Sequence, residues 1–297
     1  MGFLTPADDF TYAAPDDAAW RRTLIHGIEQ LTGKPRLWRL YADYCGSAAA
    51  GDFFAEAVER LSLGLSFDRR ALARIPREGP LVVVANHPFG VVDGIVLGYL
   101  LSRVRADFRI VVNAVLYRLP ELQPFLLPVD FAGTRAAQAV NLATRRQALA
   151  DLANGRAIAI FPGGTVSTAV TPLGRAVDPD WKPFVGRLVQ EARATVVPVY
   201  FEGQNSRLFQ FASHLSMTLR LSLLFREVVN KMDRELRLSI GAPLAYERLA
   251  QFQDRRALTE YLRAVTYAPQ TYAAPAEAAS DFLSPFEPPL GPVFHLR

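Results

Sequence analysis

Cysteine is almost missing from this 297-residue chain: Cys45 stands alone. One thiol cannot build an internal disulfide framework or a Cys-based zinc site, and nothing demands an oxidising compartment. Lysine is nearly as scarce, with only Lys34, Lys182 and Lys231 among 33 basic residues. The net charge of +4 therefore rests on arginine, which grips phosphate and carboxylate in bidentate geometry. No window offers ~18 uninterrupted apolar residues, so a membrane-crossing helix is not expected. No basic start followed by a long apolar run marks a secretory signal, and Pro6 stands where a myristoylation signal needs Ser or Thr. There is no Gly-x-Ser-x-Gly elbow of the serine hydrolases, and no internal repeat.

Half of the residues are hydrophobic, well above what a disordered chain carries, and the length suffices for a full core. Residues 1–16, rich in Asp, Pro and Ala, read as a loose leader. From 17 to about 65 the apolar spacing is helical, interrupted at Gly33 and Gly46, which predicts two or three helices. Leu81 to Ala85 is a short, wholly apolar run that suits a strand buried on both faces. Further strands are expected at 108–112, 125–129, 157–161, 195–201 and 236–240. Helices are expected at 94–104, 136–153, 184–193 and 255–265. Strands spaced by helices predict an α/β fold with a mixed, largely parallel sheet. The main domain runs from 17 to 267, and the Pro-rich residues 268–297 read as an extended tail. Leu208 to Phe225 is ambiguous: residues 215–223 alternate like a strand, whereas the length and the preceding turn suit a helix. Its apolar surface fits either the core or a membrane-resting face. Arg69, Arg70, Arg74 and Arg77 form the densest cationic cluster, read either as a solvated face or as a contact for anionic lipid or an acidic carrier protein.

The chemistry concentrates in Asn86-His87-Pro88-Phe89-Gly90-Val91-Val92-Asp93. A histidine accepts a proton near neutral pH, and a nearby carboxylate fixes its tautomer and stabilises the imidazolium. A step of six is about 240° around one helix, so the two would not share a face there. In one strand they would stand roughly 20 Å apart. A turn is needed to join them, and Pro88 and Gly90 supply one. The alternative is a strand-to-helix connection in which Asp93 merely caps the next helix. The other histidines, His26, His214 and His295, fall on a helical surface pattern, in the apolar segment and in the tail.

Three more blocks follow expected strands. Phe161-Pro162-Gly163-Gly164-Thr165-Val166-Ser167 has adjacent glycines whose amides can approach an anion. Val197-Pro198-Val199-Tyr200-Phe201 ends in a polar cluster reaching Arg207, and sheet ends are where α/β proteins place their sites. Leu127-Pro128-Val129-Asp130 leads to Arg135, a candidate phosphate contact. In this order the four blocks resemble the glycerolipid acyltransferases of the lysophosphatidate and glycerol-3-phosphate type, over about residues 61–267. The wording Asn-His-Pro-Phe-Gly and Tyr-Phe-Glu-Gly-Gln-Asn-Ser-Arg-Leu-Phe is similar to a bacterial branch of lysophospholipid and lyso-ornithine-lipid acyltransferases.

That resemblance implies an O-acyltransferase that moves a fatty acyl group from acyl-CoA or acyl carrier protein to a lysolipid hydroxyl. His87 would be the general base and Asp93 its orienting partner. Asn86, Gly90, Arg135, Gly163, Gly164, Thr165 and Ser167 would line the substrate site, with backbone amides near Gly90 or Gly163-Gly164 steadying the oxyanion. It implies no metal, no cofactor beyond the thioester co-substrate, no nucleic-acid partner, and a peripheral place at the cytoplasmic face of the inner membrane. The sequence departs from the family pattern at three points. Five residues, not four, separate His87 and Asp93, a spacing the bacterial branch shares. Gly163 and Val166 replace the Glu and Arg of the usual Phe-Pro-Glu-Gly-Thr-Arg-Ser block, which argues against glycerol-3-phosphate as acceptor. Arg135 lies five residues beyond Asp130 instead of next to it. Competing readings are a lipid-binding protein on the same scaffold, or a lipid hydrolase using Ser167 or Thr165.

Overall fold

In the computed structural model, which describes residues 11, 13, 18–45, 52–171 and 173–268, three helices come first. These are α1 (Ala19–Thr32), α2 (Lys34–Cys45) and α3 (Phe53–Arg60). Next come β1 (Gly64–Ser66), α4 (Arg69–Ala73), β2 (Leu81–Ala85), α5 (Val91–Ser102) and β3 (Phe108–Asn113). Two 3-10 turns, Ala114–Arg118 and Pro120–Phe125, lead into β4 (Leu126–Val129), α6 (Arg135–Ala153) and β5 (Ala157–Ile160). A small hairpin, β6 (Thr168–Ala169) and β7 (Ala176–Val177), precedes α7 (Phe184–Ala192) and β8 (Thr195–Phe201). The remainder is α8 (Arg207–Leu215), α9 (Met217–Ser222), α10 (Leu224–Lys231), β9 (Glu235–Ile240), α11 (Tyr246–Leu249) and α12 (Arg255–Tyr267).

Seven strands form one sheet in the order β1-β9-β8-β2-β5-β3-β4. Only β8 and β9 pair antiparallel within it; the other neighbours run parallel. Strand β2 lies at the centre, and every one of its residues is buried. Leu81, Val83 and Ala85 point into one core with α3, α5 and α10, while Val82 and Val84 point into a second with α6, α7 and α12. A central strand sandwiched between two helical layers has no polar face to show, which is why its sequence reads as a continuous apolar run. Helix α5 is apolar on nearly every side for the same reason, packed between the sheet and α3. A Cβ on Gly98 of α5 would lie 2.3 Å from the Phe54 ring of α3, so only glycine permits this approach.

The mixed, mostly parallel sheet and the helical N-terminal segment are as the sequence predicts. Helix α5 begins at Val91, three residues earlier than expected, because Gly90 at its N-cap ends the turn there. The segment from Leu208 to Phe225 is helical. Ser216, with φ −164°, closes α8 while its hydroxyl accepts from the Thr218 amide to open α9. The short breaks reset the helical phase and leave an alternation that imitates a strand. The segment also divides between the two expected environments: Phe209, Leu223, Leu224 and Phe225 are buried, while Phe211, Leu215 and Met217 are more than half exposed. Strand β1 and the β6–β7 hairpin escape the sequence pattern because two or three residues carry no periodicity. The arginine cluster at 69–77 is exposed on α4 and the turn before β2, at the edge of the sheet opposite His87. The leader expected at 1–16, the tail at 268–297 and the break at Gly46 lie outside the described residues, save Thr11, Ala13 and Ala268.

Candidate active site

Three loops leave the same edge of the sheet from three neighbouring strands, β8, β2 and β5. The loop after β2 carries His87, with Nδ1 3.0 Å from Asp93 Oδ2 and set oblique to a linear hydrogen bond. Such pairs are often loosely aligned before substrate binds. Asp93 is the third residue of α5, and the same Oδ2 accepts from the amides of Phe89 at 2.8 Å and Gly90 at 2.9 Å. The cap and the histidine partner are thus one carboxylate: the helix-start reading and the chemical reading are both true of it. Gly90 has φ +84° and ψ −119°, a conformation reserved for glycine, and this kink folds Asp93 back under His87.

Exposure separates the pair. The Asp93 side chain has none, whereas 18 % of the His87 side chain remains open. Burial pushes the Asp93 carboxyl above the usual carboxylate range, opposed by His87 and by the two amides. Phe161 stacks on the imidazole with centroids 4.1 Å apart, limiting its rotation. The main chain of His87 is held as firmly as its ring. Its amide donates to Asp178 Oδ1 at 3.1 Å, and its carbonyl accepts from the Ser167 amide at 2.8 Å. Asp178 is buried and also accepts from Ser167 Oγ at 2.5 Å and Trp181 Nε1 at 2.9 Å. One carboxylate therefore ties the turn of His87 to the loop after β5.

The remaining expected residues take varied places. Both ends of the buried Asn86 amide are used by the backbone of Phe201, at 2.9 and 2.7 Å, so this side chain joins the ends of β2 and β8. Gly163 lies where a Cβ would stand 3.1 Å from Asp178 Cβ. The amides of Gly90 and Gly164 are engaged by Asp93 and by the Phe161 carbonyl. The amides of Gly163, Thr165 and Val166 have no partner among the described residues. Thr165 accepts from Arg220, and Ser167 is buried with its hydroxyl committed to Asp178. Arg135 is not brought into the cluster. It is exposed on the first turn of α6, after β4, three strands and about 14 Å across the sheet from β2. Asp178 and Arg220 were missed. Nothing local marks Asp178, but Arg220 is the one arginine in the apolar stretch 208–225, and that oddity was a usable signal.

Beside this cluster, Val91, Gly94 and Ile95 of α5 line an apolar cavity of about 130 Å³ closed by α2, α3 and the turns before β4. Among the described residues, no group of three or more His, Cys, Asp or Glu side chains is placed to hold a metal ion.

A part-open histidine on a buried carboxylate, beside an apolar cavity at the carboxyl edge of an α/β sheet, is an arrangement suited to acyl transfer. The sequence profile of a family described as acyltransferase matches residues 50–273, most of the chain, and the protein belongs to that family. It is an acyltransferase, and the resemblance to the glycerolipid acyltransferases read from its motifs holds. Lyso-glycine lipid O-acyltransferases of Phocaeicola vulgatus and Bacteroides thetaiotaomicron are 26% and 25% identical to it over 224 residues. Those alignments cover 73% of this chain and 77% and 79% of the relatives. The crystal structure of the 1-acyl-sn-glycerophosphate acyltransferase from Thermotoga maritima superposes with a TM-score of 0.47 at 18% identity, over 86% of this chain and 81% of that one.

Proposed function

We propose that the protein moves a fatty acyl group from a thioester donor, acyl-CoA or acyl carrier protein, to a hydroxyl of an amino-acid lysolipid. His87 is the general base and Asp93 its orienting partner. The observation that carries this reading is the 3.0 Å approach of the part-open His87 to a wholly buried carboxylate. With Nδ1 turned to Asp93, Nε2 is left to take the acceptor proton as that oxygen attacks the thioester carbon. Amides of the 163–166 loop steady the oxyanion that forms. The C–S bond then breaks, and the departing thiolate recovers the proton from His87. No covalent acyl-enzyme is needed. A hydrolase using Ser167 finds no support, because that hydroxyl is buried and hydrogen-bonded to Asp178.

The two relatives' acceptor, a lyso-glycine lipid, suggests the acceptor class. Glycine has no hydroxyl, so an oxygen that receives an acyl group must lie on the fatty chain attached to its nitrogen. Such an acceptor keeps a free carboxylate. The cavity beside α5 suits one alkyl chain, since its lining is almost wholly apolar. Among the described residues no helix is long and apolar enough to cross a membrane. Trp20, Leu24 and Leu31 on α1 and Phe211, Leu215 and Met217 on α8 and α9 are exposed, and they offer a face that rests on lipid at the membrane surface. Flotation with anionic liposomes tests that face: Phe211→Asp with Leu215→Asp should abolish it, and retention of full binding would refute the assignment.

The deciding experiment is thioester consumption with acyl-CoA and acyl carrier protein, with and without an N-(3-hydroxyacyl)glycine, on wild type and His87→Ala. Acceptor-dependent transfer that falls ~10²–10⁴-fold in the variant is expected, the usual contribution of a positioned base. Full activity in His87→Ala would sink the mechanism.

A further inference from the structure

Three cationic side chains are more than nine-tenths buried among the described residues: Lys34, Arg105 and Arg220. Buried cations are nearly always paired with an anion, because an uncompensated charge in the interior is costly. Lys34 has Glu29 at 3.7 Å, and Arg105 has Asp107 at 2.6 Å. Among the described residues Arg220 has no carboxylate partner. Its Nη2 donates to Thr165 Oγ1 at 2.8 Å and to the Val166 carbonyl, its guanidinium lies 5.7 Å from the Phe209 ring centroid, and Nε and Nη1 bond to no described residue. Burial pushes its pKa down with no anion to pull it back up. Among the described residues, no anion matches this cation.

Its position gives that unmatched charge a meaning. Val166 touches the turn of His87: a Cβ on Gly90 would stand 3.3 Å from Val166 Cγ2. The next residue, Ser167, donates its amide to the His87 carbonyl at 2.8 Å. Arg220 therefore sits on the loop that walls the His87 turn. Here the guanidinium reaches the loop from α9, 54 residues further along the chain.

We infer that Arg220 is a specificity-determining residue that binds the head-group carboxylate of the acceptor lysolipid. The inference rests on the transferase reading above and names the part of the acceptor that this site recognises. One guanidinium with one unmatched charge suits a monoanion better than a phosphate monoester, which carries close to two negative charges at neutral pH. The planar fork of arginine also matches a carboxylate in two-point contact. A neutral acceptor would leave the cation buried and unpaired, and so would bind less well.

The test is calorimetric binding of an N-(3-hydroxyacyl)glycine and of its methyl ester, each below its micelle concentration, to wild type, Arg220→Met and Arg220→Lys. Wild type should bind the acid roughly 10- to 100-fold more tightly than the ester. Arg220→Met should bring the ratio close to one, and Arg220→Lys should keep part of it. A guanidinium that only braced the 165–166 loop would leave this ratio unmoved. A wild-type ratio near one, or a ratio retained in Arg220→Met, overturns the inference. If the Met variant does not fold, Arg220→Lys decides, with an unchanged ratio overturning it. Lysophosphatidate bound more tightly than the acid, with the advantage lost in the variants, would overturn the choice of carboxylate over phosphate. Acyl transfer assayed on the same samples keeps the two proposals apart: acid-selective binding without transfer would refute the transferase reading and leave Arg220 in its role.

Discussion

The two ends of β2 are both built from charged side chains, yet they are finished in opposite ways. At the amino end, Arg105 gives its Nε–Nη2 edge to the two oxygens of Asp107, at 2.6 and 2.7 Å, and also donates to the carbonyls of Gly79 at 3.0 Å and Gly155 at 2.6 Å. Its charge is matched and its donors tie together the segments entering β2, β3 and β5. At the carboxyl end, among the described residues, Asp93 Oδ1 and both amide atoms of Asn205 are buried with no hydrogen-bond partner, and Arg220 has no carboxylate beside it. Unmatched buried groups cost stability, so a fold keeps them where something else completes them. Around Arg105 the protein matches the charge itself; around Arg220, on the inference above, the acceptor carboxylate matches it.

Substitutions at the two ends should therefore separate activity from stability. His87→Ala sets the upper limit of the effect on activity. Asp93→Asn should come close, with kcat/KM reduced ~10²–10⁴-fold through loss of the tautomer and of the charge that supports the imidazolium. Its effect on stability has the opposite sign. Burial raises the Asp93 pKa in the folded state, so the folded protein holds that proton more tightly than the unfolded chain. Stability from this group is complete at low pH and is lost as pH rises through the unfolded value and on to the raised folded one. Above that window the asparagine variant should melt no lower than wild type, and thermal scans between pH 4 and 8 will show it. A melting temperature that drops at pH 8 would mean that the ionised carboxylate supports the fold.

At the other end, Arg105→Ala should destabilise by about 2–4 kcal/mol, since several carbonyls and Asp107 lose a charged donor together. The kcat of the folded fraction should stay within about twofold of wild type. Urea unfolding and an activity titration at low temperature measure the two quantities on one preparation. Comparable losses in both would erase the contrast between the ends.

Much of this was legible in the chain. The strand at 81–85 was, because a strand buried on both faces must be apolar throughout. The closeness of His87 and Asp93 was, because only a turn joins residues six apart and Pro88 and Gly90 make one. The helices at 208–231 were not, because Ser216 breaks the helical phase and the remaining alternation mimics a strand. Asp178 was not, because His87 and the Ser167 hydroxyl are joined to it only by folding. That the Gly90 and Gly164 amides bond within the protein was not legible either, because the glycines' sequence context does not show what the turn binds.

By itself, the sequence determined the local chemistry: which strands are buried, where turns fall, and that a histidine and a carboxylate share one turn. These follow from periodicity and backbone geometry, which act over a few residues. Only the tertiary structure decided which loops meet. Strand order makes β8, β2 and β5 neighbours and puts β4 three places away, so the loop after β5 joins His87 while Arg135 falls outside. The same packing carries Arg220 from α9 to the loop where Val166 stands. Strand order and helix docking arise from burying apolar faces across the whole chain, a sum over distant contacts that no short motif records.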